Sequence, residues 1–229
     1  MPRTLILLAA ALVSAAGARA ATTEFHFGGR ISSVDAVVAS AFAVGDPLSI
    51  DLSFDPATPN LLPGEPNRAA YAYTGWIMQF GSYTASFPFD SSSGSALDVL
   101  NDFSASRDGF GPTSFTPGTG AAVDGVPLWD AFFGLLDTTQ TAFDSTRLPT
   151  TLDLGAFQTK SAYLTFCTRI VAGNCASADQ RNVIADITSF AGSTSPVPEP
   201  SSMALLAIGL AAFGLTGVLR RRQDRVALA

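Results

Sequence analysis

Residues 48–54, Leu-Ser-Ile-Asp-Leu-Ser-Phe, alternate apolar and polar positions without interruption. A period of two puts Leu48, Ile50, Leu52 and Phe54 on one face of a strand and Ser49, Asp51 and Ser53 on the other. Gly45-Asp46-Pro47 before this run and Asp55-Pro56 after it are turn formers. The same pattern opens a strand at Glu24-Phe25-His26-Phe27, with His26 facing away from both phenylalanines, a bend at Gly28-Gly29 and an end near Val34. Further strands are predicted over residues 71–80, 83–89, 96–103, 129–136, 150–154, 162–171 and 182–190. Residues 55–68, punctuated by Pro56, Pro59, Pro63 and Pro66, form an irregular loop, and residues 91–95 another. Residues 108–125, rich in Gly, Pro and Thr, read as a long exposed connection. No segment between residues 21 and 195 keeps a helical period over three turns. Short runs of Phe, Tyr, Thr, Val and Ile with turn residues roughly every ten positions predict an all-β fold, a jelly-roll-like β-sandwich whose phenylalanines fill the core.

The two ends follow other patterns. Arg3 precedes an apolar run over residues 5–16, and Ala18-Arg19-Ala20 supplies the small residues that a signal peptidase reads, so residues 1–20 are a secretory signal peptide cleaved before Ala21. From Met203 to Leu219 every residue is apolar, Gly or Thr, spread round all faces of a helix. With Ser201 and Ser202 this gives a transmembrane helix over residues 201–219, close to the roughly 20 residues a span requires. Arg220, Arg221 and Arg222 follow as a membrane stop signal that stays on the cytoplasmic side, which places the bulk of the chain outside. The organisation is therefore a signal peptide (1–20), an extracytoplasmic domain (21–195) and a C-terminal tail (196–225).

An ordinary single-span anchor needs only the apolar run and the basic stop. Pro198-Glu199-Pro200 adds something else, because proline fixes φ, lacks an N–H and holds the preceding residue extended. The result is a stiff, unpaired stretch of backbone that a processing enzyme can grip. Pro-Glu-Pro, a short apolar helix and an arginine cluster, in that order over about residues 197–223, resemble the PEP-CTERM sorting signal. That resemblance implies recognition by exosortase, a membrane-embedded, cysteine transpeptidase-like enzyme. Pro198, Glu199 and Pro200 are then the recognised motif, and the tail is removed at or near it, as in other tail-removed anchoring signals. A looser resemblance covers the ectodomain: Gly29-Arg30-Ile31-Ser32-Ser33-Val34-Asp35, Phe54-Asp55-Pro56, Gly81-Ser82-Tyr83 and Asp186-Ile187-Thr188-Ser189-Phe190 are similar to a recurring PEP-CTERM ectodomain, described as a β-sandwich of unknown function.

Between the two ends, seven cations stand against seventeen carboxylates and leave the domain with ten negative charges, a balance hidden in the whole-chain value of −6 by the arginine-rich tails. Nucleic acid and anionic lipid surfaces need basic patches and are not expected partners. Cys167 and Cys175 fall in an exported domain, where a disulfide is the default; two free thiols or linkage to another chain are the alternatives.

Candidate chemistry is sparse. His26 is the single histidine and no Gly-x-Ser-x-Gly elbow occurs, so a serine hydrolase lacks its base and its nucleophile turn. Seventeen carboxylates offer no distinguished glycosidase pair. Asp90, Asp98, Asp102 and Asp108 could in principle hold calcium but lack Asp-x-Asp-x-Asp-Gly spacing, and no cofactor is expected. The chain is thus expected to be a non-catalytic protein, exported across the inner membrane, anchored by its C-terminal helix before processing and then placed at the cell surface or in an exopolysaccharide or biofilm matrix. Its expected partners are signal peptidase, exosortase and exopolysaccharide. A carbohydrate-binding module is the alternative, marked by Trp76, Trp129 or tyrosines set out as a flat platform, and a hydrolase ranks below both.

Overall fold

The computed structural model describes residues 22–103, 107–114 and 118–194. The predicted signal peptide, the span 201–219, Pro198, Glu199, Pro200 and Arg220 to Arg222 lie outside the described residues. Among those described, the regular elements are strands and one-turn 3-10 helices: β1 (Thr23–Val34), β2 (Pro47–Phe54), β3 (Arg68–Tyr71), β4 (Gly75–Phe80), β5 (Tyr83–Ser86), β6 (Ala96–Phe103), β7 (Arg107–Ser114), β8 (Leu128–Asp137), β9 (Thr159–Cys167), β10 (Ile170–Val171), β11 (Asn174–Cys175) and β12 (Gln180–Thr194). Ten of them form one antiparallel sheet in the order β3-β6-β7-β8-β9-β12-β1-β2-β4-β5, and β10 pairs with β11.

That order forces the sheet to curl. Strands β3 and β4 are joined by residues 72–74 only, yet stand eight places apart in the sheet. Eight spacings of about 4.8 Å make roughly 38 Å in a flat sheet, whereas so short a link reaches at most about 14 Å. The rings record the curl: Phe27 on β1 lies 4.9 Å from Phe133 on β8, and Trp76 on β4 lies 6.2 Å from the same ring. One face is therefore rolled inward over a core of Phe25, Phe27, Ile50, Phe54, Trp76, Met78, Phe110, Phe133 and Phe166, each at most 2% exposed. The all-β expectation holds and the arrangement is sandwich-like. In place of two separately bonded layers there is one continuous sheet whose halves face each other, because the hydrogen-bonded ladder runs unbroken through β12 and β1.

Both edges are partly covered. The amide of Leu61 donates to the Ala70 carbonyl at 2.8 Å, and the Ala70 amide donates to Asn60 Oδ1 at 3.1 Å, closing the outer side of β3. Ser86 on β5 exchanges two backbone hydrogen bonds with Thr119, at 3.1 and 2.9 Å. Part of each edge's ladder, the groups most able to template another chain, is thereby occupied.

Strands β1 and β12 pair at the centre of the sheet, so that Thr23 opposes Thr194 and the two ends of the domain leave side by side. The predicted bend at Gly28-Gly29 is a bulge in this pairing, with a second between Ile31 and Ser33. Cys167 and Cys175 are disulfide-bonded with Cα atoms 6.0 Å apart, stapling the base of the β10–β11 hairpin. Its tip, Ala172 (φ 48°) and Gly173 (φ 76°), has the two positive φ angles of a type I′ turn. Replacing both cysteines by serine is expected to lower unfolding free energy by about 2–3 kcal/mol, the loop-closure value for so short a ring. Denaturant titration of both forms tests the loss, and maleimide labelling of the wild type without reductant should find no reactive thiol.

Candidate functional site

Alternation along β6, β7, β8, β9 and β12 sends Val99, Phe110, Phe133, Leu164 and Ala185 into the core and turns a second set of residues outward. The outward set is unusual on β7 and β8, where Gly109, Gly111 and Gly134 take positions that other strands give to large side chains. Close approach explains two of them. A Cβ on Gly111 would stand 2.0 Å from the Phe133 carbonyl oxygen, and one on Gly134 would stand 2.5 Å from the edge of the Phe132 ring, which folds back over that glycine. The aromatic cover replaces the side-chain packing that a strand glycine forgoes. What remains is a trough of about 300 Å³ floored by backbone, walled by Leu100, Leu136, Phe132 and Phe103, and rimmed by Arg68, Asp98 and Arg107.

The rim is partly neutralised. Arg68 Nε and Nη2 donate to the two Asp98 oxygens at 3.2 and 3.4 Å. Burial raises the pKa of Asp98, and Arg68 partly offsets that rise. Arg107 instead stands with its guanidinium carbon 6.0 Å from the Phe103 ring centroid and has no carboxylate partner among the described residues.

A second depression, about 490 Å³, adjoins the first. Phe132 opposes Tyr163 across the β8–β9 ladder, and Gly134 opposes Ser161, which in turn opposes Asp186 on β12. The Phe132 and Tyr163 rings, 6.1 Å apart, thus form a ridge between an apolar trough and a polar one lined by Ser161, Tyr163, Thr188, Gln158 and Asp186. The Ser161 hydroxyl donates to the Tyr163 hydroxyl at 3.2 Å. Lys160, the sole lysine of the chain, is turned to the protein: its ammonium donates to the carbonyls of Leu154 and Phe157 at 3.3 and 2.8 Å.

A third, smaller depression of about 180 Å³ contains His26. As its place on β1 predicts, the ring faces out, opposite Phe25 and Phe27; its Nδ1 meets Asp51 Oδ1 at 2.6 Å and its Nε2 lies 3.9 Å from Glu24. The neighbouring Ser53 hydroxyl donates to the Gly75 carbonyl at 3.4 Å and accepts from Thr74 at 3.1 Å.

The four aspartates considered for calcium are not gathered together. Asp90 caps the turn at Ser91–Ser93, accepting from the Ser92 amide and hydroxyl. Asp98 pairs with Arg68. Asp108, fully buried, accepts from the amides of Asp102 and Phe143, both at 2.9 Å. Among the described residues no group of three or more His, Cys, Asp and Glu converges as metal ligands do. Sequence patterning overlooked Asp137, which lies directly opposite Asp108 and organises the loop that follows β8. It accepts from the amides of Thr139, Thr141 and Ala142 at 2.7, 2.8 and 3.0 Å and from the Thr139 hydroxyl at 2.6 Å. That hydroxyl, with the amides beside it, holds the carboxyl well below the usual carboxylate range. The only forewarning was the Thr-Thr-Gln-Thr run that follows it.

Asp130, in the bulged start of β8, behaves in the opposite sense. Burial pushes its pKa up to about 6, although the Ala131 amide donates to it at 2.7 Å. The native state therefore binds this proton where the unfolded chain has released it, and stability falls as pH rises from about 4 to about 6. Asp130→Asn should be more stable than the wild type at pH 7, by about 1 kcal/mol once solvent screening of a partly exposed group is allowed for, and equal to it near pH 4. Thermal melts across that range check it; a constant difference between the two forms would contradict it.

The aromatic platform expected of a sugar-binding module is absent where Trp76 was concerned: that indole is 1% exposed. Tyr71, Tyr73 and Tyr83 are likewise buried, the last two with pKa values pushed up to about 12 by burial. Trp129 and Tyr163 are partly exposed. Among the described residues no helix is long and apolar enough to cross a membrane. Cys167 and Cys175 are joined as set out above.

Compared with known proteins, residues 196–222 match the family model for the PEP-CTERM protein-sorting motif. No curated protein sequence and no solved structure shows significant similarity to the chain.

Proposed function

We propose that this chain is an exosortase substrate whose ectodomain serves at the cell surface, or in the extracellular matrix, as a structural or adhesive element without catalysis. The match of residues 196–222 to the sorting motif carries the reading. The tail that it covers starts two residues beyond Thr194, where β12 ends. The body suits such a place: its edges are partly covered, its hairpin is stapled, and its charge is strongly negative.

The test is fractionation with intact-mass measurement of the full chain in its natural host. Recovery at the surface or in the medium, beginning at Ala21 and lacking the C-terminal arginines, is the expected result. An intact chain in the cytoplasm, initiator methionine included, would overturn the proposal.

Carbohydrate binding is favoured by one observation, the polar depression beside the Phe132–Tyr163 ridge. Hydroxyls of Ser161 and Tyr163 and the Asp186 carboxylate suit sugar hydroxyls, and a neighbouring ring suits an apolar sugar face. A glycan array on the purified protein separates the two readings, since a structural element gives no saturable signal and Tyr163→Ala abolishes a genuine one.

A further inference from the structure

We infer that the glycine-floored trough on β6, β7 and β8 is a binding site for a single-chain aliphatic carboxylate, with Arg107 receiving the head group and Leu100, Leu136 and Phe132 the hydrocarbon. Three observations converge on this chemistry. First, the polar side chains of the trough are confined to its rim, Arg68, Asp98 and Arg107, so a sugar or a peptide backbone lying along the floor would leave most of its polar groups unmet there. Second, two of the domain's seven cations stand at the rim of this one depression, on a body that is otherwise strongly acidic. Third, the two arginines are in different states. Arg68 is occupied by Asp98, whereas Arg107 has no carboxylate partner among the described residues and is propped by the Phe103 ring at the mouth. An apolar body takes the walls, and one negative charge completes the rim.

The size selects among amphiphiles. At about 300 Å³ the trough is at the small end of ligand pockets. It accommodates one chain of medium length and not a two-tailed membrane lipid. The occupant is thus a free carboxylate arriving from solution rather than the bilayer to which the tail is directed.

The experiment uses the full-length chain in nanodiscs and a decanoate carrying a diazirine near its ω end, with crosslinks mapped by mass spectrometry. Labelling of peptides containing Leu100, Phe132 or Leu136, displaced by octanoate and not by octanol, is expected. Arg107→Glu, an exposed change that should leave the melting curve in place, is expected to lower that labelling about tenfold, the loss of one charge-assisted contact. Leu136→Trp, which fills the trough, should abolish it. The inference fails if label falls only outside these peptides, if Arg107→Glu labels as well as wild type, if the diazirine alcohol labels equally, or if a diazirine phospholipid in the disc labels these peptides in its place.

Discussion

Replacing Phe133 by alanine should remove about 3–5 kcal/mol of stability, the usual cost of deleting a fully buried aromatic ring. Few other side chains reach so many strands. From β8 its ring meets Phe27 on β1 at 4.9 Å, Trp76 on β4 at 6.2 Å and Phe110 on β7 at 6.5 Å. The first two contacts join β8 to strands three and five places away in sheet order, so the ring holds the curl as well as filling space. Domains of this size are stable by only about 5–15 kcal/mol, and the loss brings the variant close to unfolding at growth temperature. The neighbouring Phe132 is the control, because it lies on the outer face and Phe132→Ala should cost well under half as much. Urea titration of both variants measures the difference. Equal losses at the two positions would mean that the ring stack across the core contributes little.

Replacing Pro198, Glu199 and Pro200 together by alanine should leave the chain almost wholly unprocessed and held in the membrane. The argument is one of backbone and charge. Proline fixes φ, offers no N–H and biases the residue before it toward extended conformations, and Glu199 is the only carboxylate between Asp186 and Asp224. Alanines would return the segment to ordinary conformational freedom and remove its single charged mark, while the apolar run and the arginines stay as they are. A plain anchor would be indifferent to the change. Intact-mass measurement of the membrane and soluble fractions decides: identical masses and partition for variant and wild type would reject the motif as a processing signal.

How much of this was legible beforehand depended on whether a strand shows itself through its own residues. Strands β1, β2 and β4 did, because each alternates large apolar with polar side chains and each packs one face on the core. Strand β7 did not, and residues 108–125 read as a loop. Its outward positions are Gly109 and Gly111, and Phe110 is its one large core residue, so a strand thinned by the closeness of Phe132 and Phe133 carries no alternation to detect. Residues 71–80 read as one strand, but β3 ends at Tyr71 and β4 begins at Gly75, eight places away in sheet order; only the curl, a property of the whole sheet, lets so short a link join them. Residues 150–154 failed the other way. Asp153 accepts from the Gly155 amide at 2.8 Å and closes a 3-10 turn over Leu154–Ala156, so a local side-chain bond outweighed β-propensity. The troughs were invisible because each is lined by residues of several strands brought side by side by the pairing register, which no single run of sequence displays. The disulfide and the outward His26 were legible, since compartment and parity decide them.

The pairing of Thr23 with Thr194 also sets the order of events in biogenesis. A sheet whose central ladder joins the first strand to the last has high contact order, and its folding waits on the slowest of its contacts. On secretion β1 emerges first and has β2 at once, but its other side stays bare until β12 has cleared the translocon. Throughout that interval an aromatic-rich edge is open to wrong partners. Closure comes only after β12, whose last residue stands two positions before the sorting motif, so on the proposed route the ladder is completed just as the motif itself becomes available to a processing enzyme.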